Sequence, residues 1–273
     1  IRDRVILESF TGHILDMPEV MPRLKALSEE GIYFPHFYAN SFRTDRGLVS
    51  ILSGYPAQPT ASIMKSPSKS QSLPAIARSL RKVGYDTEMI YGGDADFTNM
   101  RSYFYATGYG RVMSCDDFTT EENSARWGVP DHITFPRVEK EIARQTARPF
   151  MKTFLTLSSH EPFDVPMSRL EHPYLNSVAY TDSCLGAFVD TLRQSPLWEN
   201  LLIVFVADHT MRYPAGIQEH EVKRHHIPMV WCGGAVRGHR VVEDYASQID
   251  LAATLLAQMH IDYSDFAFSK NIA

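Results

Sequence analysis

Short apolar runs alternate with stretches of amphipathic spacing along most of the chain. The apolar runs predict strands at residues 5–7, 33–38, 88–91, 150–157, 201–206 and 227–232. The amphipathic stretches predict helices at residues 22–30, 44–53, 73–83, 97–106, 135–146, 177–194 and 247–259. Gly31 and Gly54 follow two of these helices, where a glycine commonly ends a helix. Strands that alternate with helices imply an α/β fold with a largely parallel sheet covered on both faces.

Polar segments follow several of the predicted strands. In α/β sheets, ligands bind beyond the carboxyl ends of the strands. The segments of interest are Glu8, the turn Arg43-Thr44-Asp45, Ser158-Ser159-His160, and Asp208-His209. A carboxylate suits a hard cation and an imidazole suits zinc or manganese, so Glu8, Asp208 and His209 are candidate metal ligands. Alternatively, Glu8 is a solvated carboxylate at the edge of the sheet, and Asp208-His209 is a polar turn that caps a helix.

Thr44 is predicted at the N-cap of a helix, where threonine ordinarily caps the first turn. The same position has a second interpretation, because a helix N-terminus attracts phosphate and a hydroxyl on a divalent cation loses its proton more easily. Arg43 and Arg46 add positive charge beside it. His160 stands before Pro162, where it either assists a transferring phosphoryl group or is a surface-loop histidine.

Composition narrows the possible classes of protein. The 273 residues are 44% hydrophobic, which suits one large core, and the net charge of −5 argues against a nucleic-acid groove. Cys115, Cys184 and Cys232 are widely spaced and odd in number, so we expect buried free thiols. The segment 58–72 is rich in Ser, Pro and Lys and predicts an exposed loop.

The sequence carries neither an apolar run long enough to span a membrane nor a visible signal peptide. It begins Ile1-Arg2-Asp3, without an initiator methionine. We therefore expect residues 1–273 to be a single catalytic domain, excised from a longer and membrane-anchored parent.

Nine segments in order along the chain resemble one family, the lipoteichoic acid synthase and phosphoglycerol transferase branch of the sulfatase-like group, in the alkaline phosphatase superfamily. The segments are VILESF (5–10), FRTDRG (42–47), LSGYP (52–56), YGGD (91–94), WGVPD (127–131), LTLSSHEPF (155–163), AYTD (179–182), VADH (206–209) and QIDLA (248–252). The resemblance implies a three-layer α/β/α sandwich around a mixed, mostly parallel central sheet.

The resemblance also implies a mechanism. By matching position, Glu8, Thr44, Asp208 and His209 would bind one divalent cation, most often Mn²⁺, with Mg²⁺ or Zn²⁺ as alternatives. Thr44 would attack a lipid phosphodiester and form a phospho-threonine, and His160 would lie near the substrate phosphate. The substrate-binding candidates are Arg43, Arg46, Tyr91, Arg101 and Trp127.

The partners implied are an anionic phospholipid donor, usually phosphatidylglycerol, and a glycan or polyglycerol-phosphate acceptor. The expected location is the extracytoplasmic face of the cytoplasmic membrane, with the anchor in segments absent from this chain. Nucleic acid is not an expected partner.

The chain departs from the family pattern in three places. Thr210 replaces a usual glycine, and residues 11–18 form a short stretch. Tyr91, Thr98 and Met100 stand where lipoteichoic acid synthases carry His, Trp and Arg around glycerol phosphate. Arg101 is one position away and could replace that arginine, so the donor headgroup stays open.

Four alternative functions stay open. A phosphoethanolamine transferase would share the threonine nucleophile, with His220, His225 and His226 as candidate ligands for a second metal. A sulfatase-type hydrolase is disfavoured because Thr44 cannot become formylglycine, whereas a phosphodiesterase would pass the phosphoryl group to water. A non-catalytic sensor domain is disfavoured because all four ligand-type residues are present.

Overall fold

The computed structural model describes residues 3–7, for their backbone only, together with 10–145 and 148–273. Within these ranges the strands are β1 Asp3–Leu7, β2 Ile32–Phe34, β3 Phe37–Tyr38, β4 Asp86–Tyr91, β5 Arg111–Met113, β6 Phe150–Leu155, β7 Ile203–Ala207, β8 Met229–Cys232, β9 Arg240–Val241 and β10 Ala246–Ser247. The helices are α1 Pro22–Glu30, α2 Thr44–Ser53, α3 Pro67–Ser70, α4 Ile76–Lys82, α5 Met100–Ala106, α6 Asp131–Ala143, α7 Pro173–Arg193 and α8 Asp250–Gln258. In the described part of the chain, no helix is both long and apolar enough to cross a bilayer.

Eight strands form the main sheet, in the order β5-β4-β6-β1-β7-β8-β2-β9. Strand β8 runs antiparallel to both of its neighbours, and the other pairings are parallel. Strands β3 and β10 form a separate two-stranded parallel sheet. The predicted mixed, mostly parallel sheet is therefore confirmed.

The helices pack in two groups. In one group α7 contacts both α6 and α1, and α1 also packs on β8. Phe135 of α6 joins this group to the sheet, because its ring lies 4.8 Å from that of Phe154 in β6 and 5.2 Å from that of Phe188 in α7. In the other group α2 contacts α8 and α4, and α4 packs on β4. The observed architecture is the predicted α/β arrangement.

Several predicted elements differ from the observed ones. The strand predicted at 33–38 is two short strands in different sheets, because Pro35 lacks the N–H that a continuous ladder needs. Strand β5 was not predicted, since three residues carry too little periodicity. Residues 58–72 are not simply an exposed loop: they include α3, and Met64 is fully buried. All three cysteines are free thiols as expected, although only Cys232 is fully buried.

Asp182 of α7 caps a helix that is distant in sequence. Helix α1 has no side-chain cap of its own. The Asp182 carboxylate accepts hydrogen bonds from the backbone N–H groups of Arg23 (2.9 Å) and Leu24 (2.8 Å), in the first turn of α1. Burial raises the pKa of Asp182 to about 6, against the opposing effect of these hydrogen bonds.

The raised pKa predicts that Asp182 makes stability pH-dependent. Its contribution should be fully present below pH 3.8, the usual value for aspartate, and be lost as the pH rises through about 6. We expect this group to lower the free energy of unfolding by on the order of 2–3 kcal/mol between pH 4 and 7. Urea unfolding across that range should show a flatter profile for Asp182→Asn, and the exposed control Asp164→Asn should keep the wild-type slope. An identical slope in Asp182→Asn would contradict the prediction.

Candidate active site

The carboxyl ends of four adjacent parallel strands lie at the same level. Tyr91 of β4 pairs with Leu155 of β6, Leu155 pairs with Ile6 of β1, and Ile6 pairs with Val206 of β7. The segments that follow these strands therefore emerge together at one edge of the sheet. Glu8, the predicted ligand after β1, lies outside the described residues.

Helix α2 brings Thr44 to this edge. A Cβ atom on Gly47 would lie only 1.9 Å from the carbonyl oxygen of Asp208. The absence of a side chain at Gly47 thus allows α2 to pack directly on the segment that follows β7. Arg43, with φ −138° and ψ 134°, occupies the N-cap position, so Thr44 is the first helical residue rather than the predicted N-cap.

Thr44, Asp208 and His209 form a compact cluster. The Thr44 hydroxyl oxygen lies 3.4 Å from His209 Nε2, which lies 3.5 Å from Asp208 Oδ2. Asp208 is fully buried, and its Oδ1 accepts a hydrogen bond from the His209 N–H at 2.7 Å. His209 Nδ1 lies 3.1 Å from the Thr210 carbonyl, which can only accept, so Nδ1 carries the hydrogen. In the neutral ring, the lone pair of Nε2 then faces Thr44.

This cluster fits a divalent cation. It presents a hydroxyl oxygen, a carboxylate and an imidazole lone pair, and the Nδ1 hydrogen bond fixes the ring as it does in many metal sites. Among the described residues, no group of three or more His, Cys, Asp or Glu side chains is arranged so that it could hold a metal ion. Asp208 and His209 would thus need further ligands, of which Thr44 is in place and Glu8 is the predicted fourth.

Gln248 links the segment after β7, which carries Asp208, to the loop that precedes α2 and Thr44. Its side-chain amide donates to the carbonyl oxygens of Ala207 (2.8 Å) and Asp208 (2.7 Å). Its carbonyl oxygen accepts from the backbone N–H of Asn40 at 2.9 Å, in the loop before α2. We assigned no role to Gln248 from the sequence. Its place in the matched segment 248–252 was the only signal.

A buried carboxylate shapes the loop that carries His160. Asp131, at the start of α6, is fully buried and accepts hydrogen bonds from the Leu157 N–H (2.9 Å), the Ser158 N–H (3.4 Å) and the Thr181 hydroxyl (2.7 Å). Burial raises its pKa and these hydrogen bonds oppose the rise. Asp131 therefore fixes residues 157–160 against α6 and α7.

The His160 ring lies against that of Trp127 in a tilted arrangement. Their ring centroids are 4.9 Å apart, and the Trp127 indole N–H donates to the Glu161 carbonyl at 2.6 Å. His160 Nδ1 lies 2.8 Å from the same carbonyl, so it carries a hydrogen. The Trp127 and His160 side chains are thus both hydrogen-bonded to the same backbone oxygen, that of Glu161.

A cavity of about 560 Å³ joins these parts of the site. Six of the residues predicted for the site line it: Arg43, Thr44, Tyr91, Trp127, His160 and His209. Thr98 and Met100 also line it. Its size is within the range of small-molecule sites.

Arg46 and Arg101 are not among the described residues that line the cavity. The Arg46 guanidinium donates to the Pro59 carbonyl at 2.8 Å. Arg101 binds the Asp96 carboxylate at 2.9 Å and the Ser114 hydroxyl at 3.0 Å. The structure therefore gives Arg101 a role in its own loop and does not place it where it could replace the missing arginine.

Two of the three histidines that were candidate ligands for a second metal, His225 and His226, bind the main chain instead. His225 Nδ1 lies 3.2 Å from the Ala39 carbonyl and its Nε2 lies 3.0 Å from that of Glu219. His226 Nε2 lies 2.6 Å from the Pro35 carbonyl. In the part of the chain that the structure describes, these histidines join no cluster of three metal-ligating side chains.

Two curated proteins show similarity along almost the whole chain. Lipoteichoic acid synthase 2 of Bacillus subtilis (strain 168) is 26% identical, and the match covers 97% of this chain and 46% of that protein. Phosphoglycerol transferase I of Xanthomonas campestris pv. campestris (strain B100) is 24% identical, over 93% of this chain and 40% of that protein. The chain thus spans less than half the length of these relatives.

Solved structures share the fold. A protein of the alkaline phosphatase superfamily from Vibrio parahaemolyticus superposes with a TM-score of 0.89 at 27% identity, covering 98% of this chain and 68% of that one. The lipoteichoic acid synthase LtaP from Listeria monocytogenes superposes with a TM-score of 0.87 at 21% identity, covering 99% and 74%. The predicted alkaline phosphatase-like fold is confirmed. Since the Sulfatase family model matches residues 5–261, this chain belongs to the Sulfatase family.

Proposed function

We propose that this chain is the catalytic domain of a metal-dependent phosphotransferase that takes glycerol phosphate from phosphatidylglycerol and passes it to a glycan or polyglycerol-phosphate acceptor. The observation that carries the proposal is the cluster of Thr44, Asp208 and His209, of which Thr44 and His209 line the cavity. The names of the relatives supply the reaction class: a lipoteichoic acid synthase and a phosphoglycerol transferase. The site of action we propose is the extracytoplasmic face of the cytoplasmic membrane, where such a lipid donor is accessible.

Thr44 is the nucleophile in this proposal. Its oxygen forms a bond to phosphorus while the bond from phosphorus to the diacylglycerol oxygen breaks, leaving a phospho-threonine whose phosphate still carries the glycerol. A bound divalent cation, held by Thr44, Asp208, His209 and Glu8, would lower the pKa of the hydroxyl and neutralise the phosphate oxygens. The start of α2 adds backbone N–H groups, which favour an anion at this position.

His160 is the acid and the base. Its ring lies on the cavity wall, fixed by Trp127 and the Glu161 carbonyl. Thr44 first releases its proton to water, and a protonated His160 then gives its own proton to the departing diacylglycerol oxygen. In the second step it takes a proton from the acceptor hydroxyl, whose oxygen attacks the phospho-threonine and restores Thr44.

The direct test is lipid cleavage by the purified chain. We expect labelled diacylglycerol to appear when the chain is incubated with manganese and fluorescent phosphatidylglycerol. Phosphatidylethanolamine runs in parallel. Release only from phosphatidylethanolamine would transfer the assignment to a phosphoethanolamine transferase. Absence of release from either lipid, with manganese bound, would contradict the proposed donor.

Removing the metal should stop the reaction. We expect EDTA to lower diacylglycerol release by about 10²-fold or more, because several kcal/mol of charge stabilisation are lost, and manganese to restore it. The metal content can be measured alongside. Asp208→Asn should lose both metal and activity, whereas the exposed control His220→Ala should keep both. Full activity in the metal-free chain would contradict metal dependence.

A further inference from the structure

The cavity wall holds a buried arginine that the proposed mechanism does not use. Arg224 lines the cavity although only 6% of its surface is exposed. It ends a single 3₁₀ turn at Val222–Arg224, in the long connection between β7 and β8. Neither periodicity nor a motif marked it in the sequence.

Arg224 is fixed from two sides. Its guanidinium carbon lies 4.1 Å from the ring centroid of Phe42, a cation–π contact. Its Nη1 donates to the hydroxyl of Thr210, and that hydroxyl donates to the Arg224 carbonyl at 2.5 Å. Thr210 directly follows His209, and Phe42 lies two residues before Thr44. The guanidinium is therefore attached to both segments that carry the candidate nucleophile cluster.

The charge of Arg224 has no carboxylate partner within the described chain. Among the described residues, no carboxylate lies within ion-pair distance of its guanidinium, and its buried Nε has no hydrogen-bond partner there. Arg212, which lines the same cavity, is exposed and pairs with Glu219 at 3.2 Å. Burial lowers the pKa of Arg224, but a guanidinium remains a cation at neutral pH. A buried cation of this kind is strongly stabilised by an anion that enters the cavity.

We propose that Arg224 binds the anionic oxygens of a phosphate ester in this cavity, and that Thr210 holds its guanidinium in position. The forked guanidinium matches phosphate oxygens in geometry and charge. Because Phe42 and Thr210 already restrict the side chain, little further ordering is needed when the ester binds. The identity of the ester, a glycerol phosphate, rests on the proposed function, whereas the phosphate itself does not.

The test is a binding measurement that requires no turnover. Inorganic phosphate and sn-glycerol 1-phosphate are titrated calorimetrically into the 273-residue chain in the presence of manganese. We expect Arg224→Gln to weaken both affinities by about 10- to 100-fold, the effect of losing a charge-assisted hydrogen bond. Arg224→Lys, which keeps the charge but loses the fork, should fall between that variant and the wild type.

Two further variants separate binding from folding. Thr210→Val keeps the shape of the side chain and removes the hydroxyl, and it should weaken phosphate binding by about threefold or more. Arg212→Gln removes the same charge from the exposed rim of the cavity, and it should weaken binding by less than about fivefold. Thermal unfolding shows which variants are folded. If Arg224→Gln is not folded, the phosphate affinity of Thr210→Val provides the test.

Three results would overturn the assignment: unchanged affinity in folded Arg224→Gln, equal losses in Arg212→Gln and Arg224→Gln, or absence of phosphate binding by the wild-type chain. Failure of the proposed function has a different signature. A chain that binds phosphate through Arg224 but releases no diacylglycerol would support the binding site and contradict the lipid donor.

Discussion

Replacing Thr44 by alanine is expected to abolish diacylglycerol release, by at least about 10³-fold, while leaving the fold intact. The hydroxyl is the atom that would attack phosphorus, and the backbone N–H groups around it cannot replace a nucleophile. The fold should tolerate the change because Thr44 is the first residue of α2 rather than its N-cap, and its hydroxyl faces His209 at 3.4 Å. Alanine also has a higher helix propensity than threonine.

The comparison variants for Thr44 are chosen to isolate its hydroxyl. Thr44→Ser keeps a hydroxyl at the same backbone position and should retain part of the activity. Thr60→Ala removes an exposed threonine from the neighbouring loop and should behave as wild type. Turnover should be followed as labelled diacylglycerol, with manganese content and thermal unfolding measured on each protein. Substantial turnover by a metal-loaded Thr44→Ala would rule out the mechanism.

Replacing Asp131 by alanine is expected to produce the largest loss of stability, about 3–4 kcal/mol of unfolding free energy. The substitution leaves the buried N–H groups of Leu157 and Ser158 without this acceptor, and it leaves the Thr181 hydroxyl with only the Ser159 hydroxyl at 3.2 Å as a partner. It also releases the loop that carries His160, so activity should fall in whatever fraction remains folded. Asp131 is a positioning residue, since it touches the loop and not the cavity.

Matched variants distinguish the buried carboxylate from its neighbours. Asp131→Asn keeps one oxygen that can accept from the two N–H groups, so we expect about half of the loss. Thr181→Ala removes a single donor and should cost about 1 kcal/mol. Urea unfolding gives the free energies. A loss in Asp131→Ala no greater than that in Thr181→Ala would falsify this role for Asp131.

The family and the fold could be predicted from the sequence because their signals are local. Apolar strands, amphipathic helices and the glycines that end them are properties of neighbouring residues. The predicted helix 22–30 matches α1 at both ends, and the predicted helix 44–53 matches α2 except that Arg43, not Thr44, is its N-cap. The order of matched segments identified the family, which the match over residues 5–261 confirms. The predictions for residues 33–38 and 58–72 were wrong because strand pairing and burial there depend on residues distant in sequence, which local composition does not record.

The candidate site was predictable only in part. Parallel strands place their carboxyl ends along one edge, so the sequence brought Asp208, His209 and His160 to the right part of the molecule. Their chemical roles, and the role of Glu8, stay predictions. The sequence could not place the arginines, because the direction of a long side chain in a loop depends on contacts with residues far away in sequence.

The sequence by itself therefore determined the family, the α/β fold and the strand ends at which the chemistry is expected. Only the tertiary structure decided which side chains share the cavity. It turned Arg101 toward Asp96 and brought Arg224 against Phe42, across an interval of 182 residues. It also revealed Gln248 and Asp131 as the residues that hold the site's loops. The physical reason is that periodicity records which face of an element is buried, whereas a cavity forms from loops whose hydrogen bonds join distant parts of the chain.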